Sequence, residues 1–151
     1  MRLLVIPPPV QLIGTAALMW VVNRHVPGLR IDFPGGDLVG GILIAIGLGV
    51  EVIAIAAFVQ AGTTVNPIQP EKTRKLVTSG LYRLSRNPMY AGMLLLLSGW
   101  VLRLGSGWNI GVLIGFVGLI TALQIKPEEE ILREKFGDAY TDYCARVRRW
   151  L

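Results

Sequence analysis

YRLSRNPMYAGMLLLLSGW, residues 82–100, is the stretch on which the fold turns. A basic, turn-prone segment passes through Asn87-Pro88 straight into leucines. Asparagine before proline at the head of an apolar run predicts an N-cap followed by proline at the first helical position. A membrane-type helix therefore starts at Pro88, and Tyr82, Arg83, Arg86, Asn87 and Tyr90 crowd its mouth. So much chemistry at a membrane entrance asks for a purpose beyond anchoring.

The rest of the chain supports a membrane setting. Its 151 residues suit one domain, 1–151. It is 52% hydrophobic and only 17% charged, with a mean hydropathy of +0.54, more apolar than an ordinary soluble domain. The net charge of +5 is spread over separate short segments, with no basic face interleaved with aromatics. That argues against nucleic acid as a partner and fits the positive-inside bias of membrane proteins. The single Cys144 excludes an internal disulfide and a multi-cysteine metal site. The single His25 leaves a histidine-based metal or Ser-His-Asp site only the end of the first apolar span, and no metal is expected.

Four apolar spans can be counted. The first, Val10 to Val22, is short for a crossing of ~20 residues and needs help from its flanks, which include Pro7-Pro8-Pro9. Those prolines, and the lack of a small-x-small pattern after the span, argue against a cleaved signal peptide. Leu38 to Val59 is long and clean except for Glu51; Pro88 to Leu102 ends at Arg103; Trp108 to Ile125 carries no charge. Glu51 is the one ionisable residue deep in a span, hence a functional candidate by default, although a glutamate bonded to a neighbouring helix is an equally ordinary role. Gly41, Ala45 and Gly49 form one small-residue row, and Gly107, Gly111 and Gly115 another. Such rows let helices approach closely in lipid, and they also suit a homodimer face or a slot for a lipid chain.

Lysine and arginine set the orientation. Lys72, Arg74, Lys75, Arg83 and Arg86 sit between spans two and three, and Lys126, Arg133, Lys135, Arg146, Arg148 and Arg149 follow span four. The other connections hold only Arg24, Arg30 and Arg103. Four crossings put both rich segments on one side, predicted to be cytoplasmic together with both termini, in a plasma (inner) membrane. The expected architecture is an all-α membrane protein, four transmembrane helices plus a C-terminal amphipathic cytoplasmic helix. In that last helix Leu132, Phe136, Tyr140, Tyr143 and Val147 form one stripe, with three glutamates in the first turn and Gly137 as a weak point or bend. It can lie on the membrane face or fold back over the bundle's mouth. Glu128, Glu129 and Glu130 at its head complement the helix dipole, and Glu129 can pair with Arg133 one turn on. Equally, they can anchor an ammonium or ribose hydroxyls opposite the basic helix mouth at Pro88, itself a natural carboxylate site.

LVTSGLYRLSRNPMYAG, residues 76–92, resembles the signature of the isoprenylcysteine carboxyl methyltransferase family, whose fold is shared with small membrane phospholipid and thiol methyltransferases. A second motif follows in the right order: Glu128, Glu129, Leu132, Phe136, Gly137, Tyr140 and Tyr143, ending in Val147-Arg148. The resemblance covers about Gln69 to the C-terminus. It implies an S-adenosylmethionine site in residues 63–151, with S-adenosylhomocysteine as product and a small lipophilic or lipid acceptor drawn from the bilayer. Carried over position by position, the cofactor contacts are Gln69, Arg74, Lys75, Leu76, Val77, Tyr82, Asn87, Pro88, Met89, Tyr90 and Glu128. Asn87 replaces the histidine usual in that family, and Gln124 replaces an arginine that pairs with a substrate carboxylate. The acceptor is therefore expected near Gln124 and Lys126. No catalytic nucleophile is implied, and Glu51 is the candidate base if the acceptor is an amine. The competing function class is a four-helix membrane scaffold or lipid-binding protein.

Overall fold

Proline and glycine punctuate the helices. Proline lacks an N–H, which costs nothing in a first helical turn, and both α1 (Pro8–His25) and α3 (Pro88–Leu104) begin on one. Left-handed Gly35 and Gly62 bracket α2 (Gly36–Ala61). The computed structural model describes residues 6–62 and 75–151 and is all-α among them. A single 3₁₀ turn, Gly80–Arg83, precedes α3. A connection of three residues, 105–107, then leads into α4 (Trp108–Ile120).

The helical path does not stop at Ile120. Thr121–Ile125 winds as one π turn, and α5 (Lys126–Phe136) continues from it. Pro127 explains the local widening, because its ring would clash with the carbonyl four residues back in a regular helix. The result is one continuous run, Trp108–Phe136. That run and Gly36–Ala61 are long and apolar enough to cross a membrane. The other two expected spans are helices in the expected places, but α3 is a shorter apolar helix of 17 residues, and α1 ends among Asn23, Arg24 and His25.

Close packing concentrates between α2 and α3, and it corrects the expected small-residue rows. Gly41, Gly49, Gly111 and Gly115 face open space. The seam is built instead from Gly40 and Gly47 against Gly99 and Gly92. A Cβ on Gly47 would meet the Gly92 carbonyl at 2.9 Å, and one on Gly99 would run into the Gly40 carbonyl. Backbone thus lies on backbone over two turns of each helix, the close approach that small residues permit in lipid. Buried Ala54 extends the α2 side toward Val77 and Tyr82, and Phe58 meets Tyr82 edge-on at 5.3 Å. The main core forms behind α3, where Met19, Met93, Leu97, Phe116 and Ile120 pack together.

The terminal stripe is carried by two helices rather than one. Gly137, at φ 52°, breaks the chain between α5 and α6 (Asp138–Arg146), a backbone angle that favours glycine. The break lets Tyr140, Tyr143 and Val147 bury together against Leu76, Leu132 and Phe136. Of the two arrangements open to it, the segment folds back over the bundle. Tyr143 Oη donates to the Tyr82 carbonyl at 2.6 Å, and the Arg86 amide donates to the Arg148 carbonyl at 2.9 Å. Asn87 holds the N-cap position, but its side chain makes no cap; it donates to the Arg149 carbonyl at 2.9 Å. At the far end of the bundle the two remaining connections join, with the Gly107 amide donating to the Leu29 carbonyl at 2.7 Å and Arg30 bridged to Ser106.

Candidate functional site

Because Pro88 fixes where α3 begins, Met89, Tyr90 and Met93 are set in its first turns, beside the head of α5. Tyr90 Oη donates to Glu128 Oε1 at 2.7 Å. Gln124 Nε2, one turn before Glu128, donates to the same oxygen at 3.2 Å, and Gln124 Oε1 receives Gln11 Nε2 from α1 at 3.4 Å. Glu128 is thus held from α3 and from the π turn, with Gln124 itself steadied from α1. Its neighbour Glu129, 5% exposed, does not pair with Arg133. It takes Arg86 Nη2 at 3.0 Å and Arg149 Nη2 at 2.7 Å, with a second bond from Arg149 Nε at 3.0 Å. A buried carboxylate needs such partners.

These groups surround a cavity of about 320 Å³, within the range of ~300–1,000 Å³ usual for small-molecule sites. From the loop, Lys75, Leu76, Val77 and Tyr82 line it; from the helix heads, Asn87, Met89, Tyr90 and Glu128 do. Glu51, from mid-α2, lines it as well. Pro88, Gln124 and Lys126 are outside the lining: Pro88 is buried at the helix start, Gln124 lies behind Glu128, and Lys126 is exposed. Gln69 and Arg74 fall outside the described residues.

The cavity has further lining groups beyond the contacts implied by the resemblance. Arg86 and Glu129 form a buried ion pair facing the cavity, and Phe58 and Met93 supply apolar wall. Arg86 had a signal, its place immediately before Asn87; the Glu129–Arg149 pair had none, because partners twenty residues apart need the fold. Tyr140 and Tyr143 belong to the stripe already identified, and they reach the cavity from above.

Electrostatics follows burial. Desolvation pushes the Tyr82 and Tyr143 phenols well above their ordinary range; Tyr143, Glu51 and Glu128 add to it at Tyr82, and Arg86 opposes it at Tyr143. Both hydroxyls stay protonated donors at neutral pH. The Arg149 guanidinium is held still more firmly charged by its hydrogen bonds to Glu129. Two buried polar atoms on lining residues lack a partner among the described residues, Glu51 Oε1 and Arg86 Nε. A cavity with a carboxylate–phenol pair, a guanidinium edge and apolar walls fits a ligand that is polar and zwitterionic at one end. S-adenosylmethionine has that chemistry.

Fold and site define an all-helical protein with membrane-length apolar helices and a ligand-sized cavity at one end of the bundle. Residues 37–139 match the phospholipid methyltransferase family. The chain belongs to that family of methyltransferases, which use S-adenosylmethionine. It is similar to protein-S-isoprenylcysteine O-methyltransferase A of Arabidopsis thaliana, 34% identical over 124 residues, 80% of this chain and 61% of that one. A probable protein-S-isoprenylcysteine O-methyltransferase of Oryza sativa subsp. indica is 30% identical over 113 residues, 75% of this chain and 59% of that one. An uncharacterized protein of Haemophilus influenzae is 48% identical over 65 residues, 42% of this chain and its own whole length. The chain thus spans about three fifths of those two plant relatives. No solved structure matches it significantly.

Proposed function

We propose that the protein is an integral-membrane methyltransferase that moves a methyl group from S-adenosylmethionine to a small lipophilic or lipid acceptor. The observation that carries this reading is the Tyr90–Glu128 pair. Two motifs, 38 residues apart, meet at one hydrogen bond on the wall of one cavity.

Bound S-adenosylmethionine supplies an electrophilic methyl on a sulfonium sulfur. Glu128, fixed by Tyr90 and Gln124, is set to receive hydroxyl or ammonium donors. Lys75, Leu76, Val77, Tyr82, Asn87 and Met89 complete the cofactor wall, with Gln69, Arg74 and Pro88 assigned by motif position. Ile55, Phe58, Met89 and Met93 keep water from the reacting groups and receive the acceptor's hydrocarbon. In-line transfer needs alignment and dryness rather than a nucleophilic side chain. In this reading α1, α2, α3 and the run from Trp108 to Ile125 all cross the bilayer, with the cavity end in the cytoplasm.

Isothermal titration of the detergent-purified protein with S-adenosylhomocysteine tests the reading. Saturable binding that Glu128→Ala weakens at least about 10-fold, the scale of a hydrogen bond to a charged group, supports it. Absence of binding to the intact protein overturns it.

A further inference from the structure

Three described carboxylates line the cavity, and two of them are answered within the chain. Glu128 has Tyr90 and Gln124, and Glu129 has Arg86 and Arg149. Glu51 differs: its Oε1 is buried and has no hydrogen-bond partner among the described residues. It sits ten residues before the end of α2, about 15 Å along the helix from that end. A buried carboxylate oxygen without a hydrogen bond is costly, and an ionisable residue within a membrane helix is a functional candidate by default.

The neighbouring helix is shaped around it. A Cβ at Gly92 would come within 3.0 Å of Glu51 Oε1 and 3.2 Å of its Cγ. Glycine there lets the side chain lie across α3 instead of being pushed off it. Ile55 and Phe58 on its own helix and Met89 and Met93 on α3 supply apolar lining to the same cavity, and the Tyr82 phenol is near enough to feel the Glu51 charge. Among the described lining residues the cations are Lys75 and Arg86; Lys75 is exposed, and Arg86 is engaged with Glu129.

We infer that Glu51 reads the methyl acceptor: its free Oε1 accepts a hydrogen bond from the acceptor's reacting heteroatom and takes that proton as the heteroatom's lone pair bonds the methyl carbon and S-adenosylhomocysteine leaves. The inference rests on the methyltransferase reading and narrows it to acceptors that carry an N–H or S–H. A carboxylate acceptor would bring a second negative charge against Glu51, while of the described lining cations Arg86 is tied through Nη2 to Glu129 and Lys75 is exposed. Glu51 then determines specificity by attraction toward protic heteroatoms and by repulsion of anions.

Dodecylamine, dodecanethiol and dodecanoic acid differ only in headgroup and serve as probes with labelled S-adenosylmethionine and protein in lipid nanodiscs. The wild-type protein is expected to label the amine or the thiol at least about 10-fold faster than the acid. Glu51→Leu should lower that rate at least about 10-fold while S-adenosylhomocysteine affinity stays within about 2-fold. Glu51→Gln, which keeps an acceptor oxygen, should fall between the two. Preference for the acid, or undiminished transfer by Glu51→Leu, overturns the inference while leaving the methyltransferase reading intact. If Glu51→Leu fails to bind S-adenosylhomocysteine, Glu51→Gln decides: a rate equal to wild type overturns the inference, and a lower rate at unchanged affinity supports it. Lack of S-adenosylhomocysteine binding by the wild-type protein overturns the underlying reading as well.

Discussion

Glu128 Oε1 takes hydrogen bonds from both Tyr90 and Gln124, so orientation of the carboxylate is divided between α3 and the π turn. Tyr90→Phe removes one of two supports and should weaken S-adenosylhomocysteine about 5- to 10-fold, whereas Glu128→Gln should cost about 1.5–3 kcal/mol. Glu130, on the exposed side of α5, should tolerate glutamine with no change in affinity. Equal losses at both glutamates, measured by titration, would return the acidic head of α5 to a dipole role. Glu129 has a different task. Its removal leaves Arg86 and Arg149 unanswered around a buried gap, so Glu129→Ala should cost about 3 kcal/mol of stability, read as a fall in melting temperature. The motif made Glu128 and Tyr90 legible before any coordinates, because their chemistry is tied to fixed neighbours in sequence. Gln124 was legible as unusual but not as a support behind Glu128, since direction along the π turn is set by Pro127 and the tail. Nor was Glu129, whose partners come from the loop and from the C-terminal tail.

At the scale of elements, α2 is apolar on every side, so nothing in its composition tells which face meets α3. Gly40 and Gly41 are adjacent and equally small, and a choice between them rotates the helix by about 100°. The structure selects Gly40 and Gly47, whose spacing matches Gly92 and Gly99 on the antiparallel partner. Gly99→Leu should therefore force the helices apart at a cost of about 1–3 kcal/mol or more, as overpacking does, and should lower the melting temperature in detergent. Gly41→Leu, which meets open space, should leave it unchanged. Loss of stability in both variants, or in Gly41→Leu alone, would move the seam to the row that sequence spacing first suggested. Proline-marked starts and the amphipathic stripe were readable because each has a local cause. The division into α5 and α6 was only half readable: Gly137 announced a bend, while the fold-back depends on the distant Tyr82 carbonyl that Tyr143 finds.

Across the whole molecule, charge and geometry agree. The loop before α3 and the segment after α4 meet at one end, joined by Arg86–Arg148 and Tyr82–Tyr143 hydrogen bonds. The α1–α2 and α3–α4 connections meet at the other end. The cavity end carries Lys75, Arg83, Arg86, Lys126, Arg133, Lys135, Arg146, Arg148 and Arg149. At the far end Arg30 pairs with Asp32 and Arg103 with Asp37, so its few cations are partly offset by acids. Positive residues near helix ends tend to stay on the cytoplasmic side, so the proposed four-crossing topology predicts that the cavity end faces inward. In a Cys144→Ser background, a membrane-impermeant maleimide applied to intact cells should label Pro34→Cys and spare Ser79→Cys, both at exposed positions. Permeabilisation should then expose Ser79→Cys. Labelling of both sites in intact cells would break the four-crossing count. The reverse pattern would turn the cavity to the outside, where lysines and arginines in such number are disfavoured, and would separate the site from a cytoplasmic supply of S-adenosylmethionine.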